Sequence, residues 1–150
     1  MSHAALLSGI ALANSGLGFA HGVAAALGVH AKLPHGLACA VMLPAALHLN
    51  RDVAKSDLAQ LGRLCSQWLH GEDDLPPLDV NATAEAAAMH FLAVIRTLNQ
   101  RWGIPKRLSA LGVSRDQLPA LVKGSRGNSM DGNPRDVTDE ELHRILEAML

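Results

Sequence analysis

The feature that most restricts what this chain can become is the make-up of its apolar half. Hydrophobic residues are 49% of the 150, yet there are only two Trp, two Phe and no Tyr. Ala and Leu carry the load. Small and unbranched apolar side chains favour closely packed helices, whereas sheets want β-branched and aromatic ones. A chain of this length can bury one core. The expectation is therefore an all-α multi-helix bundle, with residues 1–150 forming a single helical domain. A formal charge of -1 leaves no electrostatic footprint for nucleic acid or an anionic membrane.

The apolar periodicity predicts seven helices and no strand. The first, Ser2 to Asn14, is apolar on nearly every side and is expected to be central and buried. Ser15 to Gly18 breaks it. A Gly- and Ala-rich second helix runs from Phe19 to Leu27, and a loop from His30 to His35 leads to a third, Gly36 to Leu49. Pro44 lies inside that third helix, where a kink or break is expected. The fourth spans Val53 to Leu69, and a proline-bearing loop from Gly71 to Asn81 separates it from the fifth, Thr83 to Arg101. Ser114-x-x-Gln117 and Thr138-x-x-Glu141 have the capping-box pattern and mark the starts of the last two. Lys123 to Asp136, rich in Gly, Ser and Asn, reads as loop.

The N-terminal segment lacks a basic n-region, and His3, Ser8, Asn14 and Ser15 interrupt it, so it does not read as a signal peptide. No stretch reaches the roughly 18 uninterrupted apolar residues of a bilayer span. Cys39 and Cys65 lie in apolar helical patterns and read as reduced core residues. A soluble, cytoplasmic protein is expected.

The chemistry concentrates in Asn14-Ser15-Gly16-Leu17-Gly18-Phe19-Ala20-His21-Gly22, followed by Leu33-Pro34-His35-Gly36. His21 sits among Gly22, Ala24 and Ala25, which are too small to fill space. Backbone, cofactor or metal-bound substrate must then approach that face. His35 enters the third helix between a φ-fixed Pro34 and Gly36. Helix, tight loop and helix start can return residues 14 apart to one point, where two neutral imidazoles could hold a divalent cation. Two ligands do not by themselves make a site, and structural or surface roles stand beside that reading.

The string A-N-S-G-L-G-F-A-H-G resembles the signature of the iron-containing alcohol dehydrogenases. So do Leu27-Gly28, L-P-H-G at 33–36 and A-V-M-L-P at Ala40 to Pro44. Gly103-Ile104-Pro105, Leu108, Leu111-Gly112-Val113 and Asn133-Pro134-Arg135 look like the same family's C-terminal landmarks in the right order. The resemblance covers essentially the whole chain. It implies the helical half of a two-domain enzyme with a dehydroquinate synthase-like fold, whose metal and substrate lie in a cleft beside an α/β dinucleotide-binding domain. Four ligands hold the metal in such proteins: an Asp and a His from an Asp-x-x-x-His helix, and the two histidines matching His21 and His35. Iron or zinc then polarises a carbonyl while NAD(P)H delivers hydride. The implied substrate is a small alcohol or aldehyde.

Three departures qualify this. The dinucleotide domain and the Asp-x-x-x-His helix are not in this sequence, so NAD(P) is expected to bind only where that domain is present, and metal binding by two imidazoles alone is expected to be weak. Ala25 stands where many members carry an additional histidine four residues after the first ligand, with His30 a conceivable substitute. Ser129 stands four before the Asn-Pro-Arg, as a substrate-pocket position. Asp139-x-x-x-His143 has the carboxylate–imidazole spacing but lies in the last helix, out of order, and Asp139 suits a helix N-terminus. Asp131-x-Asn133 with Asp136 faintly resembles a calcium loop, but Pro134, and Asp136 in place of a Gly, argue against it. His3, His48, His70 and His90 read as structural or solvent-facing.

Two functions follow. One is part of an NAD(P)-dependent alcohol dehydrogenase, incomplete as this chain alone. The alternative is a non-catalytic helical remnant or interaction module with at most a weak two-His metal site. Either version is expected to expose apolar surface near the first helix and to bury it by homo-oligomerisation or against the dinucleotide-binding domain.

Overall fold

The computed structural model describes residues 2–69, 75 and 77–150. His70 and part of the expected 71–81 loop fall outside them. Eight α-helices occur among the described residues: α1 Ser2–Ser15, α2 Phe19–His30, α3 His35–Leu49, α4 Lys55–Trp68, α5 Ala84–Arg101, α6 Leu118–Gly124, α7 Asn128–Asp131 and α8 Asp139–Ala148. Two 3₁₀ turns, Ser109–Leu111 and Arg115–Gln117, link α5 to α6, and no strand is present among these residues. The all-α expectation holds. The additional short helix α7 lies inside the stretch expected to be loop.

Two cores form. The larger gathers Phe19, Val23, Leu27, Ala38, Val41 and Met42 from α2 and α3 with Leu118, Leu121, Leu142 and Leu146 from α6 and α8. The smaller joins Leu58 and Ala59 of α4 to Ala87, Ala88 and Leu92 of α5. Gly62 makes the second possible, because any side chain there would run into the Ala87 carbonyl.

α3 runs through Pro44 without a break. Proline cannot donate to the carbonyl four residues back, which is that of Ala40. Asn99 Nδ2, from α5, donates to that oxygen at 2.8 Å. A side chain from the neighbouring helix thus satisfies the acceptor that proline strands, and the helix continues.

The caps follow the sequence in part. Thr83 Oγ1 accepts from the Ala86 N–H at 3.2 Å, and Thr138 Oγ1 accepts from the Glu141 N–H at 3.2 Å. Gln117 Oε1 accepts from the Ser114 N–H at 2.9 Å. The Glu141 carboxylate takes two hydrogen bonds from Arg135 at 2.9 and 2.5 Å. That pairing holds the Glu141 carboxyl below the usual carboxylate range.

One expectation fails. α1 was expected at the centre, and it has no buried residue at all. Leu6 is 60% and Leu7 53% exposed, and α1 is bent 98° from α2. A helix apolar on every side has no preferred face, so its sequence states a need for cover without selecting a partner. No single helix among the described residues is long and apolar enough to cross a membrane; α1 and α2 together meet that test only as a bent pair.

Candidate metal centre

The site is built by the α2–α3 hairpin. Gly18 is the N-cap of α2, and the His21 and Gly22 N–H groups both donate to the Gly18 carbonyl. At its far end Lys32 takes a left-handed conformation, φ 58, at a cost of order 1 kcal/mol for a residue with a Cβ. The Ala31 and Leu33 N–H groups both donate to the Leu27 carbonyl, which fixes the reversal. Pro34 then starts α3, and His35 is its first residue.

This return places the His21 and His35 rings 5.2 Å apart between centroids, inclined at 43°. Cys39 lies one turn beyond His35 on the same face of α3. Its Sγ is 3.5 Å from His21 Nδ1 and 3.5 Å from His35 Nε2. One donor atom from each of these three residues falls within 4.8 Å of the others. Burial, and secondarily the neighbouring His35, lower the His21 pKa. That favours the neutral imidazole a metal requires. Burial pushes the Cys39 thiol up.

At Gly22 the close approach comes from backbone, one of the three options left open, together with the Met130 side chain. A Cβ on Gly22 would lie 2.9 Å from the Ser125 carbonyl and 3.2 Å from Met130 Cε, and one on Gly18 would meet Asn133 Oδ1 at 3.2 Å. Asn133 Oδ1 in turn accepts from the Phe19 N–H at the start of α2 and from Asn50 Nδ2. Arg135 Nε donates to the Leu49 carbonyl at 3.1 Å. The Asn-Pro-Arg landmark is therefore the clamp that ties the start of α2 to the end of α3 and to α8.

Ala25 is exposed. His30, also exposed, is the last residue of α2, about 13 Å along the helix axis from His21 by helical rise. Ser129 is half-buried on α7, next to Met130, which packs on Gly22. Asp139 accepts a hydrogen bond from Arg126 Nε at 2.7 Å. Neither it nor His143 joins a group of three metal-ligating side chains among the described residues. His90 is buried, and its Nε2 has no partner among the described residues. A separate cavity of about 730 Å³ opens on the opposite side of α3, lined by Val41, Pro44, His48, Arg96, Asn99 and Met149 among others, and none of the three donors borders it.

Sequence reasoning missed Cys39, which it treated as a core thiol. Cys39 and Cys65 are both free and only half-buried. The signal was available in the four-residue spacing from His35, which puts both side chains on one helical face.

The description "Fe-containing alcohol dehydrogenase family, C-terminal" matches residues 1–150. The chain belongs to this family. Among curated relatives, it is 29% identical over 143 residues to a lactaldehyde reductase of Escherichia coli (strain K12), covering 95% of this chain and 35% of that protein. It is 33% identical over 148 residues to a 1,3-propanediol dehydrogenase of Klebsiella pneumoniae, covering 97% and 35%. A crystal structure of a 1,3-propanediol oxidoreductase superposes with a TM-score of 0.83 at 28% identity, over 97% of this chain and 36% of that one. The chain thus spans about a third of the length of the relatives it matches.

Proposed function

We propose that these 150 residues are the metal- and substrate-binding helical domain of an alcohol dehydrogenase. In this reading the domain turns over only together with two further parts: a dinucleotide-binding domain that supplies NAD(P), and an Asp-x-x-x-His helix that supplies the remaining ligands. The observation that carries it is the convergence of His21 and His35, with ring centroids 5.2 Å apart, within a chain of this family. Both imidazoles would hold a divalent iron or zinc ion, and the depressed pKa of His21 suits that role. A cation held there supplies Lewis acidity toward a carbonyl or alcohol oxygen.

The chain's own residues do the positioning. The α2–α3 reversal presents the two imidazoles, and the Asn133 clamp fixes where α2 begins. Ser129 is taken as a substrate-pocket position. Ala25 presents only an exposed methyl group, so proton exchange at that place falls to solvent; His30 stands too far along α2 to replace an imidazole there. The relatives' names point to small alcohols and aldehydes of the lactaldehyde and propanediol size as substrates. The uncovered α1 is the surface that a second copy or the dinucleotide-binding domain would cover. The cytoplasm is the compartment that suits two unpaired thiols.

The test is assembly of this chain with a segment that contains both a dinucleotide-binding domain and an Asp-x-x-x-His helix, followed by loading with Fe²⁺ or Zn²⁺. NAD(P)H oxidation with a short-chain aldehyde is expected, and its loss in both His21→Ala and His35→Ala. Turnover that survives both substitutions ends this reading.

A further inference from the structure

We propose that Cys39 is a third protein ligand, so that His21, His35 and Cys39 hold zinc as a His₂Cys set. This rests on the assignment of His21 and His35 above and adds to it a residue outside the ligand set that the family resemblance implies.

The geometry is close to that of a filled site. In tetrahedral zinc, with Zn–N near 2.0 Å and Zn–S near 2.3 Å, nitrogen and sulfur ligands stand about 3.5 Å apart. The Cys39 Sγ is 3.5 Å from a ring nitrogen of each histidine. The three donor atoms are mutually within 4.8 Å, so the imidazoles have at most about 1.5 Å to close against the roughly 3.3 Å expected between two zinc-bound nitrogens. Two of the three donors sit one turn apart on a continuous helix, which removes most of the freedom that binding would otherwise have to freeze.

The chemistry follows from the donors. Thiolate is a soft ligand that selects zinc over the harder divalent ions. On binding, the Cys39 sulfur would bond the metal and its proton would pass to water. Within this chain, three protein ligands leave at least one zinc position unfilled, and that position is where a ligand from outside these residues, or water, would bind.

The experiment is a Co²⁺ titration of the full 150-residue chain followed by absorption spectroscopy, with Zn²⁺ as competitor. A near-ultraviolet thiolate-to-cobalt charge-transfer band is expected in the native chain, displaced by Zn²⁺ and absent from Cys39→Ser. The Zn²⁺ Kd should weaken in that variant by about ten-fold or more, at least what loss of an outer-shell partner costs. Cobalt binding that depends on His21 but shows no thiolate band in the native chain overturns the assignment of Cys39 and leaves the two-histidine reading standing. Cobalt or zinc binding no tighter in the native chain than in His21→Ala overturns both. The native spectrum decides the question even if Cys39→Ser fails to fold.

Discussion

α1 and α2 are nearly interchangeable as sequences and opposite as structure. Both contain four Ala, and neither contains Asp, Glu, Lys or Arg. α2 buries Phe19, Gly22, Val23, Ala24, Ala26 and Leu27, whereas α1 buries nothing. The difference lies in what other segments bring to them. Against α2 come the Ser125 backbone, Met130 and Asn133; around Gly9 of α1 there is nothing within 4 Å. Apolar composition makes a helix buryable, and complementary small-residue contacts decide which helix is buried.

The largest expected contrast is between matched leucines. Leu27→Ala, at a fully buried position, should cost about 2–5 kcal/mol. Leu7→Ala, on α1, should stay within about 0.5 kcal/mol while weakening any self-association through that face. Urea unfolding beside sedimentation at two concentrations checks both, and equal losses would break the comparison.

Glycines sharpen it further. Gly22→Ala pushes a methyl group into the Ser125 carbonyl and should destabilise by about 1–3 kcal/mol. Gly9→Ala meets open space and should stabilise α1 by roughly 0.5–1 kcal/mol of helix propensity, read as increased helical circular dichroism. A loss at Gly9 equal to that at Gly22 would mean α1 is packed after all.

The smallest effect lies outside both helices, at the orphaned His90. Burial lowers its pKa, so the folded chain resists a proton that the unfolded chain accepts near 6.5. Above that pH both states are neutral and the group is silent. As pH falls below about 6.5 stability falls, until the lowered folded pKa is passed. His90→Leu removes an unpartnered Nε2 and should be neutral or stabilising at pH 7. It should also flatten the acid limb of a Tm–pH series; an unchanged limb would clear His90 of the effect.

Much of the fold was legible because helix signals are local. Thr83 and Thr138 cap where their sequence patterns place them, and the small-residue composition excludes a sheet. α7 was missed because four residues among Gly, Ser and Asn carry no periodicity. The third helix was drawn across Pro44, but why no break occurs there was not legible, because it depends on Asn99, 59 residues from the carbonyl it serves. In the candidate site, the pairing of His21 and His35 was legible from their motif, and the approach of Cys39 to them was passed over because a cysteine in an apolar helix looks like core.

By itself, the sequence determined the helices, most of their ends, the family, and the two histidines on adjoining segments. Each depends on residues within a turn or two of one another, or on a motif read in order. Only the tertiary structure decided that α1 stands uncovered and that a backbone carbonyl, not a ligand, occupies the space beside Gly22. It alone put the Cys39 sulfur between the two imidazoles. Those outcomes depend on which distant surfaces meet, and an apolar or small residue carries no label for its partner.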